Sequence, residues 1–246
     1  MTINARLQGE LRISAPIGPG KGLQQKRVQE YLNVNGIRVG VDSDWGPATS
    51  RGLELFAPGA KKVDQALMDQ LALPIVKTIA PAAVLAGQPL ATAVVATARE
   101  HLAAHPVEIG GANAGPWVRV YMDGNEGPAW PWCAGFVTLV IRQAAEAAGL
   151  SVPEHLKRTY SCDVLGGAAR KVHKLVIGTS IDVKPGSVFL VRGAKAGDWV
   201  HTGIVIGVDA QTFTTIEGNT NDEGSREGFE VCRRIRNRAN LDVVLL

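Results

Sequence analysis

Hydrophobic and polar positions change period along this chain, and the changes mark its parts. Beyond Leu23, the positions Val28, Tyr31 and Leu32 recur at helical spacing until Gly36, which predicts a first helix. Leu53, Leu55 and Phe56 predict a second, with Pro47 suited to its opening turn, and Val63, Leu67 and Leu71 predict a third. Leu11-Arg12-Ile13-Ser14 reads as a short strand ahead of them. These helices are expected to form a small bundle with a thin core over residues 1–73. Pro74, Pro81, Gly87 and Pro89 then crowd one stretch, which reads as a linker over 74–90.

A different pattern occupies 91–246, expected as a second domain. Ala91 to His105 is amphipathic, with Val94, Val95, Ala98 and Leu102 inward and His101 and His105 on a solvated face. Glu108 to Gly127 is loop-like around a short helical run at Trp117 to Met122, and Asp123 to Gly127 reads as a plain turn. Phe136 to Ala147 is apolar enough for a largely buried helix, stopped by Gly149. Residues 151–180 are mixed and carry His155 and His173 without evident partners. From Pro185 the pattern turns to strands at Ser187–Val191, His201–Val208 and Phe213–Asn219, with Cys232–Arg236 and Val243–Leu246 as edge strands. Helices followed by antiparallel strands define an α+β domain.

The chemistry sits where these patterns meet. Cys133 opens the buried helix, where unpaired N–H groups and the macrodipole favour a thiolate, the nucleophilic form of cysteine. His201 opens an apolar strand, Glu217 closes the next, and Asn219 lies two residues further on the same face by strand alternation. A hairpin pairs these strands, so where its register allows His201 and Glu217 meet, supplying a base and the group that orients it. Cys133, His201, Glu217 and Asn219 are therefore the candidate catalytic residues. Trp132 and Trp199 adjoin the cysteine and the histidine, as groove walls or as core.

Composition narrows the alternatives. The 246 residues are 46% hydrophobic and 20% charged with a net charge of +3, an ordinary globular balance with no dense basic run for nucleic acid. Three cysteines are too few for a disulfide framework; Cys162 and Cys232 either pair or stay reduced. The first ten residues lack the apolar core of a signal peptide. The window Ile79–Ala98 is interrupted by Pro81, Gln88 and Pro89, so no membrane span is expected. The expectation is a monomer made in the cytoplasm.

Two resemblances give these residues a context. Val41, Asp42, Trp45, Gly46, Thr49 and Phe56 match the pattern of the peptidoglycan-binding three-helix domain, with Ser43 in place of its usual glycine and Ala57 in place of its glutamine. That resemblance implies wall binding through the segment holding Asp42, Trp45 and Thr49. Trp132-Cys133-Ala134-Gly135-Phe136, then Val200-His201-Thr202-Gly203, then Glu217-Gly218-Asn219-Thr220 resemble the CHAP family of cysteine, histidine-dependent amidohydrolases/peptidases, from roughly Leu90 to the C-terminus. It implies a papain-like fold and cleavage of an amide bond in peptidoglycan, as an endopeptidase or an N-acetylmuramoyl-L-alanine amidase. Some members bind calcium; Asp123 and Asn125 partly fit that pattern and Gly135 does not, so no metal or cofactor is expected. A wall hydrolase of this kind would act after release, by phage lysis or a secretion machine. The competing readings are a thiol amidase or transferase on a small peptide conjugate, and a non-catalytic wall-binding protein.

Overall fold

The computed structural model describes residues 5–221 and 228–246; the first four residues of the N-terminal stretch lie outside them. The chain forms two compact units, and the division is not contiguous. One unit holds residues up to Ile79 together with Glu108–Ala129; the other holds Ala80–Val107 and Trp130–Leu246.

In the first unit, α1 (Ala5–Leu11), α2 (Leu23–Val34), α3 (Pro47–Phe56) and α4 (Gln65–Ile79) follow in order. The strand expected at Leu11–Ser14 is instead the end of α1 and coil. The linker expected from residue 74 begins inside α4, which runs through Pro74. Its buried face of Met68, Leu71, Ala72, Ile75 and Ile79 outweighs the hydrogen bond that proline removes. The stretch Gln65–Leu85 holds an 18-residue window of mean hydropathy 1.3, long and apolar enough by composition alone to cross a membrane, where the sequence pattern leads to no expected span.

After α5 (Leu90–Ala104), which belongs to the other unit, the chain supplies α6 (Pro116–Tyr121) to the first. Arg119 of α6 explains that placement. Its guanidinium reaches Glu10 at 2.6 and 2.8 Å, Glu30 at 2.6 Å and Glu126 at 2.7 Å. Lys26 adds longer contacts to Glu30 and Glu126. Glu126 thus leaves the acidic turn and caps this cluster, also accepting from the Gly115 N–H.

The loop before α3 is built around Gln29, which is 1% exposed. Its side chain donates to Asp42 Oδ1, Asp44 O and Thr49 Oγ1 and accepts from the Asp42 and Ser43 N–H groups. Ser43 there has φ 66°, the left-handed region that costs a side chain energy and glycine none. Ser43→Gly is expected to stabilise this unit by about 0.5–1 kcal/mol, read as a higher urea midpoint with an unchanged slope.

In the second unit, α7 (Cys133–Ala148) and α8 (Cys162–Lys171) accompany a six-stranded antiparallel sheet. Its strands are β1 (Leu175–Ile177), β2 (Val188–Arg192), β3 (Trp199–Val208), β4 (Thr212–Thr220), β5 (Glu230–Asn237) and β6 (Leu241–Val244), in the order β1-β6-β2-β3-β4-β5. The α+β class expected from the pattern is what forms. The expected edge strand at the C-terminus is an interior one: β6 lies between β1 and β2, and β1, hidden in the mixed stretch, takes the edge. Phe189, Val205, Phe213, Leu241 and Val243 gather with Val183 into one core cluster.

Helix α7 packs on α5, β3 and β4 and is buried along nearly its whole length. It stops at Gly149, whose φ of 73° and the Leu150 N–H bond to Ala145 O form the left-handed stop that the sequence signals. Gly218 on β4 makes the close approach at the other end possible. A Cβ there would lie 2.7 Å from the Trp132 ring and 2.8 Å from Phe136 Cβ.

Candidate active site

Cys133 is the first residue of α7, and no side chain caps that helix N terminus. Its thiol is 5% exposed, so its environment sets its charge. The structure places it beside two partners, His201 and Cys162.

His201 enters from β3. Its Nε2 lies 2.9 Å from Glu217 Oε2 across the β3–β4 ladder. The register explains how: Ile204 pairs with Ile216, so Gly203 faces Glu217 and His201 is the diagonal neighbour. Gly203 leaves the room for this, since a Cβ there would sit 2.7 Å from Glu217 Cγ and 2.6 Å from Phe189 Cε1. Among the described residues the other ring nitrogen, Nδ1, is buried without a hydrogen bond of ordinary geometry.

Glu217 is fully buried and holds more than the histidine. Arg236 of β5 donates to it twice, Nε to Oε1 at 2.8 Å and Nη2 to Oε2 at 2.5 Å, and Thr215 Oγ1 lies 2.6 Å from Oε1. Burial would raise its pKa, but Arg236 and His201 outweigh burial and hold it down at about 2. Burial likewise opposes the charged form of His201, and its interactions with Cys133 and Glu217 prevail, lifting it to about 9. The thiol of Cys133 is driven well below its ordinary value, first by a hydrogen bond from Cys162, against burial, and then by His201 and the Ala134 N–H. Thiolate, imidazolium, carboxylate and guanidinium form a neutral chain of alternating sign. That is how four charges persist in an interior that penalises each alone.

Cys162 was not expected here. It is the first residue of α8, and its Sγ lies 3.9 Å from that of Cys133. None of the three cysteines is in a disulfide. The proximity and burial push the Cys162 thiol up, so one sulfur of the pair carries the charge and the other keeps its proton. Ser161 caps α8 by accepting from the Val164 N–H, the sequence signal that marks Cys162 as another helix-start cysteine. Arg236 and Thr215 carry no local signal, because their role depends on strand register.

The remaining expected residues divide. Asn219 is buried beside Glu217, but φ 57° and a register shift between Glu217 and Thr220 interrupt the alternation that put both on one face. Trp132 and Trp199 are 0% and 5% exposed and belong to the core. Trp199 donates to Asp163 and Asp242 and lies under Arg170. The exposed aromatic near the cysteine is Trp130, edge-on to Tyr160 at 6.3 Å, with Arg158 over the Tyr160 ring.

His101 is wholly buried rather than solvated. It bonds Gln143 Oε1 at 2.9 Å, and burial lowers its pKa to about 4. His105 is exposed and pairs with Glu230, and His155 bonds Leu245 O. Among the described residues no three His, Cys, Asp or Glu side chains converge as a metal site.

In the first unit, Asp42 and Thr49 are engaged by Gln29, whereas Trp45 lines a cavity of about 350 Å³ with Pro19, Arg51, Glu54 and Lys61. Comparison of the chain with protein-family models, with curated proteins and with solved structures returned no match.

The paired thiols predict a reactivity profile. Iodoacetamide is expected to alkylate Cys133 rapidly at mildly acidic pH, with the rate nearly level up to the ordinary thiol range. Cys162→Ala removes the hydrogen bond to the thiolate and is expected to move the rising limb to higher pH. A wild-type rate that climbs only near the ordinary thiol pKa would show that Cys133 is not activated.

Proposed function

We propose that this protein is a thiol hydrolase of peptidoglycan amide bonds, with Cys133 as nucleophile, His201 as general acid and base, and Glu217 holding the imidazole. The observation that carries the reading is the Cys133–His201–Glu217 set, assembled from a helix N terminus and two adjacent strands. The order and spacing of these residues resemble the CHAP family, and a cysteine helix on an antiparallel sheet agrees with the papain-like arrangement that resemblance implies.

The chemistry follows from the charges. The Cys133 thiolate attacks the substrate carbonyl carbon, and the developing oxyanion meets the uncapped N–H groups of the first turn of α7. Imidazolium protonates the leaving amine, leaving a thioester on Cys133. Neutral His201 then takes a proton from water, which attacks the thioester and frees the acid. Arg236 fixes the carboxylate that fixes the imidazole. Trp130 and Tyr160, rather than Trp132 and Trp199, are the aromatic surfaces offered to a substrate.

The first unit is proposed as the wall-binding module, supported by the resemblance around residues 41–56 and by the Trp45 cavity. Because Asp42 and Thr49 are occupied by Gln29, polymer contact is assigned to Trp45 and its cavity neighbours. Digestion of purified peptidoglycan with identification of the product ends tests the whole reading. Split stem peptides mean an endopeptidase, and free lactyl groups on muramic acid mean an amidase. If no new amino or carboxyl ends appear with or without calcium, the reading fails, and activity on small peptide conjugates becomes the next assay.

A further inference from the structure

Cys162 forms no covalent bond in the acyl transfer just described, yet it is a buried thiol 3.9 Å from the nucleophile. The two sulfurs head two different helices, and the chain between those helices is fastened in place. Arg158 donates to Gly135 O at 2.5 Å and to Thr138 Oγ1 at 2.8 Å, while Thr138 Oγ1 donates to Ala134 O or Thr159 O. Ser161 fixes the first turn of α8. The thiols are thus held together by bonds that do not involve the sulfurs. A disulfide requires them to close by about 2 Å, to a bond of about 2.05 Å. Cys232 lies on β5, opposite Glu217.

We infer that Cys133 and Cys162 form a reversible disulfide, with Cys162 as the resolving thiol that takes the nucleophile out of service when a low-molecular-weight disulfide is present. The Cys133 thiolate attacks one sulfur of the small disulfide, whose S–S bond breaks and releases a first small thiolate. Cys162 gives its proton to that thiolate and attacks Cys133 Sγ. The mixed disulfide breaks, and the second small thiolate leaves and is protonated from solvent. Two protein thiols, one deprotonated, are oxidised, and one small disulfide is reduced to two thiols. The proton from solvent balances the charge of the starting thiolate, and no other reactant is needed. The switching role rests on the hydrolase reading of Cys133; the bond itself does not.

The test treats the full chain with bis(2-hydroxyethyl) disulfide, traps remaining thiols with iodoacetamide, and maps the cysteines by mass spectrometry. The expected result is a Cys133–Cys162 cross-link lighter by two hydrogens, Cys232 alkylated, Cys133 alkylation reduced at least tenfold, and full recovery with dithiothreitol. Cys162→Ser should instead accumulate the hydroxyethyl adduct on Cys133, and Cys232→Ser should behave as wild type. A wild type that keeps the adduct on Cys133, keeps both thiols free, or cross-links Cys232 overturns the proposal. None of these readouts uses peptidoglycan, so a failure here is distinct from a failure of the hydrolase reading.

Discussion

Cys133→Ala is expected to lower peptidoglycan hydrolysis by about 10⁴-fold or more while leaving the fold in place. The substitution removes one sulfur from the start of α7, and the surrounding helix remains packed through Phe136, Val137 and Val140. The loss is so large because no other group at the site can form the acyl intermediate. Cys162, the thiol beside it, holds its proton.

Glu217→Gln is the informative companion. It keeps the shape but removes the charge that Arg236 and His201 share, so activity should fall about 10²- to 10⁴-fold together with stability. Activity against pH should be bell-shaped, rising as Cys133 ionises and falling as His201 loses its proton near pH 9. The stability linkage has two limbs of opposite sign. His201 has its folded pKa raised from 6.5 to about 9, so its contribution is full below 6.5 and lost as pH rises through 9. Glu217 has its folded pKa lowered from 4.5 to about 2, so its contribution is full above 4.5 and lost as pH falls through 2. Thermal unfolding across that range checks both limbs. Cys133→Ala should flatten the alkaline one, because His201 loses the thiolate that raises it. An unaltered hydrolysis rate in Cys133→Ala would end the thiol mechanism.

Arg119→Ala is expected to have the largest effect on stability, about 3–5 kcal/mol, confined to the first unit. Glu10 and Glu30 are 6% and 0% exposed, and Arg119 is the group that satisfies both. Without it two carboxylates remain in the interior with, among the described residues, the longer Lys26 contact to Glu30 and the Tyr31 hydroxyl to Glu10. Charge alone does not replace the geometry, because the guanidinium fork meets three carboxylates at once; Arg119→Lys should recover only part of the loss. Urea unfolding of wild type, Arg119→Ala and Arg119→Lys measures it. A deficit under about 1 kcal/mol for Arg119→Ala would mean that the cluster is a solvated surface network.

Local pattern by itself determined the helices from Leu23, Pro47 and Leu90, the buried helix behind Cys133 and its stop at Gly149, and the principal strands. Each depends on periodicity, a cap or a breaker within a few residues. The same short-range information placed Cys133 at a helix start and put His201 and Glu217 on neighbouring strands of one hairpin; the register, which the structure supplies, sets them as diagonal neighbours.

What tertiary structure decided has range in common. Arg119 draws residues 108–129 into the first unit by contacts more than a hundred positions away along the chain, to Glu10. Arg236 and Cys162 join the site through a third strand and a second helix, and β6 enters the sheet interior beside β2. Trp132 and Trp199, open as groove walls or as core by sequence, are settled as core for the same reason. The period of a segment shows which face is apolar, but what covers that face, or what charge meets a buried carboxylate, depends on distant segments that satisfy the same burial.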